Sequence, residues 1–549
     1  MRKNLGIAVA NINLLRAAAK VLFLALLSVI AFDAMPAFAV PCASLSALKL
    51  ADMTITSAQE VAAGAFLPPG AMAPPPAVKL MPAFCRVIAE IKPVKDSDIK
   101  IEVWLPLAGW NGKYRGQGNG GFAGQINYPD LAVAVSKGYA TASTDTGHAG
   151  SGIDASWALG HPEKIIDFGH RAIHEMTMKA KAVIQAFYGD APKRSYFASC
   201  SNGGRQALME AQRFPADYDG ILAGAPANYW THVFATFIWD IQAMQHDPAS
   251  SIPSSKIPAI SAAVLAACDA HNEDGVQDGI LNDPRECRFD PAAIICKTTD
   301  SDSCLTAPQA AALQKIYSGP KDAKGKQVFP GFLPGGENGP GGWSAWITGQ
   351  APGKDLQTAF ATGFFANMIS TSTPIDLKTV NVETAVQLAN EQQGRTLNAT
   401  DPNLKPFMAH GGKLIIYHGW SDSALPPAGA ITYYNSVELG LGRELTDKFV
   451  RLYMLPGMQH CGGGPGPNFF GQPGTPSDPQ HDIYAALEQW VEKGTAPDKI
   501  IATKYANVPG AAPELKMSRP LCPYPQVAKY KGTGDTNDES NFICAQGKK

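Results

Sequence analysis

Charge is scarce in this chain. Asp, Glu, Lys and Arg make up 17% of its 549 residues, against roughly 25% in an average soluble domain. The 46 basic and 48 acidic residues nearly cancel, leaving a net charge of −2. Without a basic excess, a nucleic-acid polymer or an anionic membrane surface is a poor partner. Few charges beside 53 Gly and 43 Pro argue against coiled coils and long solvated helices. Long apolar runs are also missing. Val21 to Phe32 is apolar over 12 residues, short of the ~20 needed to span a bilayer, and no other stretch is read as a span. What is present is a hydrophobic fraction of 45%, enough to bury a large core and exclude bulk disorder. The length points to two or three domain-sized units, or to one large domain carrying an insertion.

The N-terminus indicates the compartment. Arg2, Lys3, Arg16 and Lys20 precede or open the apolar run, and Ala37-Phe38-Ala39 supplies the small-x-small pattern of a signal-peptidase site. Residues 1–39 therefore read as a secretory signal, and the mature chain as secreted or periplasmic, with no membrane contact after cleavage. All ten cysteines lie beyond it: Cys42, Cys85, Cys200, Cys268, Cys287, Cys296, Cys304, Cys461, Cys522 and Cys544. An even number in an exported chain points to disulfides, but spacing leaves their connectivity open.

Residues 99–106, 194–198, 413–417 and 449–454 read as buried strands, and 168–188 as a helix between the first two. Alternating strand and helix predict an α/β fold with a mainly parallel sheet. From about 229 to 405 no comparable strand series occurs, and Pro/Gly-rich loops mix with scattered aromatics. This region reads as an insertion over one end of the sheet. The segment after 505 reads as irregular chain wrapping the surface.

Ser199-Cys200-Ser201-Asn202-Gly203-Gly204 follows a strand and opens a helical pattern. The G-x-S-x-G expression fails, because Ser199 stands at its first glycine, yet both flanks are small. A nucleophile elbow is thus available, with a plain loop opening a helix as the bland alternative. Asp422 lies in a loop just after strand 413–417, and His460 in a Gly-rich loop just after strand 449–454. The order Ser201, Asp422, His460 is the Ser…Asp…His order of an α/β-hydrolase. A serine hydroxyl needs a base to take its proton. Histidine titrates near neutral pH and serves as that base. The aspartate fixes its tautomer and stabilises the imidazolium. Cys200 precedes the serine and Cys461 follows the histidine. If the two catalytic residues meet, their neighbours come within bridging distance, and a Cys200–Cys461 disulfide would clamp them together. The alternative is a pair of buried thiols flanking the site.

This CS…D…HC arrangement resembles the tannase and feruloyl esterase family, from about Cys42 to Cys544. The resemblance implies an α/β-hydrolase core at 40–228 and 406–549, a lid domain at 229–405, and no organic cofactor. It implies a serine carboxylesterase acting on small aromatic esters, with hydroxycinnamoyl esters first, galloyl esters second and a terephthalate monoester third. The terephthalate enzyme has an acid directly after its nucleophile, where this chain has Asn202. Oxyanion donors are expected at the backbone N–H of Asn202 and of Gly121 or Gly120, in Gly118-Asn119-Gly120-Gly121. That loop lacks the following Lys-Ser/Thr of a phosphate loop. The family's calcium loop maps onto the Asp269, Asp274 and Asp278 side chains and the Val276 and Ile280 carbonyls. An EF-hand is excluded, since Asp274 stands where its glycine is required. The resemblance is also where five pairs are expected: Cys42–Cys85, Cys200–Cys461, Cys268–Cys287, Cys296–Cys304 and Cys522–Cys544.

Other residues carry weaker expectations. His170 and His174, four apart on a helix, could share a metal but lack a third ligand, so a solvated face is preferred. His148 reads as structural. Among Trp230, Phe234, Phe237, Trp239, Trp343, Trp346, Phe360, Phe364 and Phe365, one or two are expected to touch substrate and the rest to form the insertion's core. Asn398-Ala-Thr400 is a glycosylation sequon, relevant only in a eukaryotic secretory pathway. Outside enzymes, the rival reading is a non-catalytic calcium-dependent binding protein on a degenerate hydrolase fold. A peptidase would share the triad and is disfavoured only by the resemblance.

Overall fold

The structure is a computed structural model that describes residues 39–71, 76–79, 81–269, 274–506 and 514–547. The expected signal lies outside these residues except for Ala39. Nine strands form one sheet: β1 (Met53–Val61), β2 (Phe84–Ile91), β3 (Ile99–Pro106), β4 (Lys113–Gln117), β5 (Ala140–Thr144), β6 (Arg194–Cys200), β7 (Gly220–Gly224), β8 (Lys413–Gly419) and β9 (Val450–Leu455). Their order is β1-β2-β3-β5-β4-β6-β7-β8-β9. The pairings β1·β2, β2·β3 and β3·β5 are antiparallel. All pairings from β5 through β4 to β9 are parallel. The four strands read from the sequence are β3, β6, β8 and β9. In a parallel sheet helices cover both faces, so its strands are apolar or small throughout. Accordingly, β5 (ATAST) and β7 (GILAG) are buried at every position.

The helix expected over 168–188 occupies Ala172–Tyr188, with Ile173, Met176, Ala180, Val183, Ile184 and Phe187 buried along one stripe. A π turn, Asp167–Arg171, precedes it. There the carbonyls of Phe168 and Gly169 accept hydrogen bonds from the Arg205 side chain.

A sheet of this kind gathers functional loops at the carboxyl ends of its parallel strands. The glycine-rich loop follows β4, Ser201 follows β6, Asp422 follows β8 and His460 follows β9. The insertion enters after β7 and returns before β8, with no named strand among its described residues. Its helices include Trp230–Gln245, Ala307–Ser318 and Leu356–Asn367. They pack through aromatic side chains, with Phe234 stacked on Phe364 at 4.2 Å between ring centres. The two ends of the insertion meet: Ala399 N donates to Asn228 O at 2.7 Å.

One expectation needs correction. The chain beyond 505 is not irregular. β10 (Ile500–Ala506) pairs with β11 (Glu514–Leu521), and β12 (Gln526–Tyr530) with β13 (Phe542–Gln546). The β10–β11 ribbon buries Ile500, Ile501, Ala502 and Leu521, while β11 and β12 also have exposed polar positions and no long apolar run to mark them. In addition, Pro248–Cys268 equals a membrane span in length and mean hydropathy (1.3). It is built from two 3-10 turns and a helix of 12 residues, Ile257–Cys268. That helix buries Ile257, Ile260, Val264 and Cys268 in the insertion's own core, and at about 18 Å it falls well short of a bilayer.

Candidate active site

Ser201 has φ 66° and ψ −126°, a conformation that costs a non-glycine residue about 1–3 kcal/mol. The surroundings hold it there. Its N–H donates to Gly224 O at 3.0 Å, and its carbonyl accepts from Arg205 N at 3.1 Å and Ala227 N at 3.2 Å. The glycines after it are required for close approach. A Cβ on Gly203 would meet Ser199 Oγ at 1.9 Å, and one on Gly204 would meet Gly224 O at 2.2 Å. This is the strand-to-helix elbow expected from the small flanking residues, although the usual expression is not satisfied.

His460 Nδ1 lies 2.8 Å from Asp422 Oδ2. Asp422 Oδ1 accepts the backbone N–H groups of Ala424 (2.8 Å) and Leu425 (2.9 Å). Burial alone would push this carboxyl up. The charge of His460 and hydrogen bonds from His418 and His460 overcome it and hold Asp422 well below the usual carboxylate range. The sequence reading missed His418, a buried residue on β8 whose Nε2 lies 3.0 Å from the same Asp422 Oδ2. Its spacing of four from Asp422 was the signal available, but β8 reads as an ordinary strand.

Ser201 and His460 line one cavity of about 310 Å³, together with Gly120, Gly121 and Asn202. No hydrogen bond joins the serine to the histidine among the described contacts, an open arrangement common before substrate binds. The Cys200–Cys461 disulfide ties the two loops, with 5.9 Å between Cα atoms. All five expected disulfides form, and no cysteine is free.

Gly120 and Gly121 differ in their surroundings. A Cβ on Gly120 would meet open space, whereas Gly121, at φ 54°, lies against Gly152 O. Asn119 anchors this loop. Its N–H donates to Gln206 Oε1 at 2.9 Å, and its Nδ2 donates to Thr144 O at 2.8 Å. Asn202 Nδ2 donates to Asn119 O at 3.3 Å. His148 supports the same loop as a structural residue, with Nε2 2.8 Å from Phe122 O and its ring stacked on Trp157.

Ala227, Ala424 and Leu425 of the core loops add apolar lining, and the insertion supplies Trp230, Val233, Phe234, Phe237, Trp346 and Phe360. Five of the nine aromatics considered from sequence line the cavity. Trp346 packs edge-on against His460 at 5.6 Å. Helical spacing could not separate this face from the insertion's core, because one helix, Trp230–Gln245, serves both.

The acidic loop lies away from this cavity. Val276 packs with Cys522, Ala528 and Phe542 of the C-terminal ribbons. Asp269 Oδ2 accepts Gly279 N at 2.9 Å, Asp274 Oδ1 accepts Val276 N at 3.0 Å, and Asp278 Oδ1 accepts Ile280 N at 3.2 Å. Arg519 Nη2 donates to Asp278 Oδ2 at 2.8 Å, a partner the sequence did not reveal. Burial, with repulsion from Asp278 and Asp269, pushes Asp274 up to about 6 despite the Val276 N–H. Three crowded acids facing one guanidinium fit a hard cation with oxygen ligands. Residues 270–273 of the loop lie outside the described ones.

His170 and His174 do not converge. His174 Nδ1 lies 2.7 Å from Asp217 Oδ2, and its ring stacks on Phe214. Glu210 also lies within metal-ligand reach of His174 and Asp217. The side chain of Asn398 is engaged inside the fold, with Nδ2 3.1 Å from both Thr231 Oγ1 and Asn390 Oδ1.

The sequence profile described as "Tannase and feruloyl esterase" matches residues 85–545. An uncharacterized esterase of Xanthomonas campestris pv. campestris is 44% identical over 530 residues, covering 92% of this chain and 91% of that protein. The mono(2-hydroxyethyl) terephthalate hydrolase of Piscinibacter sakaiensis is 32% identical over 511 residues, covering 82% of this chain and 81% of its own. The crystal structure of feruloyl esterase B from Aspergillus oryzae superposes with a TM-score of 0.82 at 29% identity, covering 92% of this chain and 99% of that one. With an α/β sheet carrying this site and a family match across most of its length, the chain belongs to the tannase and feruloyl esterase family and is a carboxylic ester hydrolase.

Proposed function

We propose that the protein is an exported serine esterase that cleaves esters of aromatic acids, first of all hydroxycinnamoyl esters, through an acyl-enzyme. The observation that carries this reading is the cavity itself. Ser201 and His460 line it together with five aromatic rings, and no charged Asp, Glu, Lys or Arg side chain does. An apolar aromatic acyl group is buried favourably there. A galloyl ring brings several hydroxyls that need partners, and a terephthalate monoester brings a carboxylate that needs a cation. Both rank lower for that reason.

In this mechanism His460 takes the proton of Ser201 as Oγ bonds to the ester carbonyl carbon. The carbonyl electron pair moves onto oxygen, where the N–H groups of Asn202 and of Gly120 or Gly121 stabilise it. The pair returns, the ester C–O bond breaks, and His460 gives its proton to the departing alcohol. Water, deprotonated by His460, then releases the acid. Asp422 orients the imidazole throughout. Ten paired cysteines and the N-terminal segment support export.

Ser201→Ala is expected to lower kcat by about 10⁴-fold or more on methyl ferulate. Unchanged turnover would sink the reading. Methyl gallate and the terephthalate monoester, assayed beside methyl ferulate, rank the acyl groups. For the lid loop, we propose Ca²⁺ held by Asp269, Asp274 and Asp278 with the Val276 and Ile280 carbonyls. The ion would supply charge neutralisation and loop order rather than a step of catalysis. Chelation should lower Tm and added Ca²⁺ restore it, and a Tm indifferent to both would remove the ion from the account.

A further inference from the structure

Arg205 carries a charge for which the mechanism above has no use. Its side chain is fully buried, and none of its acceptors is a carboxylate. Nε donates to Asn202 Oδ1 at 2.8 Å, Nη1 to Gly169 O at 2.7 Å and Leu397 O at 3.4 Å, and Nη2 to Phe168 O at 3.0 Å. The rings of Phe168 and Trp230 cover it at 4.9 and 5.3 Å. Burial, with repulsion from Arg213, pulls the guanidinium down to about 9, so it keeps its proton at neutral pH. Holding a charge out of water costs several kcal/mol when no counter-ion offsets it. Protein sequences keep such a feature mainly where function uses it.

Asn202 is the connection to the site. Its Oδ1 receives Arg205, and its Nδ2 donates to Asn119 O at 3.3 Å, on the peptide that carries the Gly120 N–H. Its own backbone N–H begins the helix after Ser201. One buried amide side chain thus links the guanidinium to both backbone segments that face the cavity beside Ser201.

We infer that Arg205 is a positioning residue for oxyanion stabilisation. Through Asn202 it fixes and polarises the backbone donors of Asn202 and the Gly120–Gly121 strip, and its buried charge favours the negative oxygen formed when Ser201 adds to the ester. The ester is neutral and the tetrahedral species is anionic, so a fixed cation in a water-poor site acts on the transition state and leaves ground-state binding nearly untouched. The inference rests on the serine-esterase reading.

The test uses Asn202→Asp and Arg205→Lys in the full chain. Asn202→Asp sets a carboxylate against Arg205 Nε. It retains that hydrogen bond and cancels the charge, and it also gives up the Nδ2 donation to Asn119 O, so Arg205→Met, which removes the charge and leaves the Asn202 amide in place, is measured beside it. Kinetics on methyl ferulate are compared with binding of an arylboronic acid, which forms a tetrahedral anion on the serine, and of the neutral ferulic amide. The expected result is a fall of about 10- to 100-fold in kcat and in boronate affinity, with amide affinity, KM and Tm nearly unchanged. Arg205→Lys, which keeps the charge and loses the fork, should fall between the two. A folded Asn202→Asp with wild-type kcat and boronate affinity would overturn the inference. Ser201→Ala in the same assays separates the two readings. If turnover survives there, the serine mechanism itself falls. If it is lost while Asn202→Asp matches wild type, only the role of Arg205 falls.

Discussion

The cavity has two halves of different chemistry. The core half, made by the loops after β4, β6, β7, β8 and β9, carries the polar side chains of the lining and is fixed by short hydrogen bonds: Asp422 behind it accepts four. The lid half is aromatic and holds its place by ring contacts such as Trp346 with Phe360 and Phe234 with Phe364. Hydrogen bonds set angles and distances to a few tenths of an ångström. Ring packing sets volume and tolerates volume-conserving exchange. In the proposed mechanism this division gives the reaction to the core half and the choice of acyl group to the lid half.

The largest expected break in that comparison is at the disulfides. Cys200–Cys461 closes a separation of 261 residues at the site, and Cys296–Cys304 one of 8 in the lid. Replacing both members of the first pair by Ser should lower stability by about twice as much as in the second and cut kcat at least tenfold. The second replacement should leave kcat alone. Urea unfolding and methyl ferulate kinetics on both variants check this, and equal kcat losses would erase the distinction between halves. A middle-sized effect is expected in the lid. Phe360→Ala or Trp346→Ala should raise KM for methyl ferulate by about tenfold, the value of 1–2 kcal/mol of lost contact. The kcat should stay within about twofold, and the preference over small aliphatic esters should shrink. A pure kcat effect would place these rings with the catalytic half.

The smallest effect is shared by both halves. Burial depresses His148 in the core and His232 in the lid to about 4, below the ~6.5 of an unfolded chain. Between those values the unfolded state binds protons that the native state does not. The contribution of these two histidines to stability is therefore fully present above about pH 6.5 and is lost as pH drops towards 4. Relative to the parent chain, His148→Gln and His232→Gln should each shift the difference between urea midpoints at pH 7 and 5 in favour of pH 5, and an unchanged difference would remove that histidine from the account.

How much of this could be read in advance follows the same division. Ser201, Asp422 and His460 were legible because each sits one loop beyond a strand that the sequence marks clearly. Arg205, His418 and Gln206 were not, since a helix or strand pattern explains each position without its partner. The lid's aromatics were visible as a group, but their sorting into wall and core depends on how helices cross, which no spacing records. The C-terminal ribbons were missed because a two-stranded ribbon does not need the alternation that marks a half-buried sheet.

The pinch at Asn228 and Ala399 has a consequence for descent and for engineering. The whole insertion leaves and re-enters the core at two residues joined by two hydrogen bonds, so the sheet meets it as a loop of almost no span. Its length and content can then change without shifting β7 against β8, since loop closure grows only slowly with chain length. A lid grafted at this seam must still carry the Trp230 ring and the Leu397 carbonyl that hold Arg205, and the Gly335 and Gly336 carbonyls that receive Ser421 and Ser423 beside Asp422.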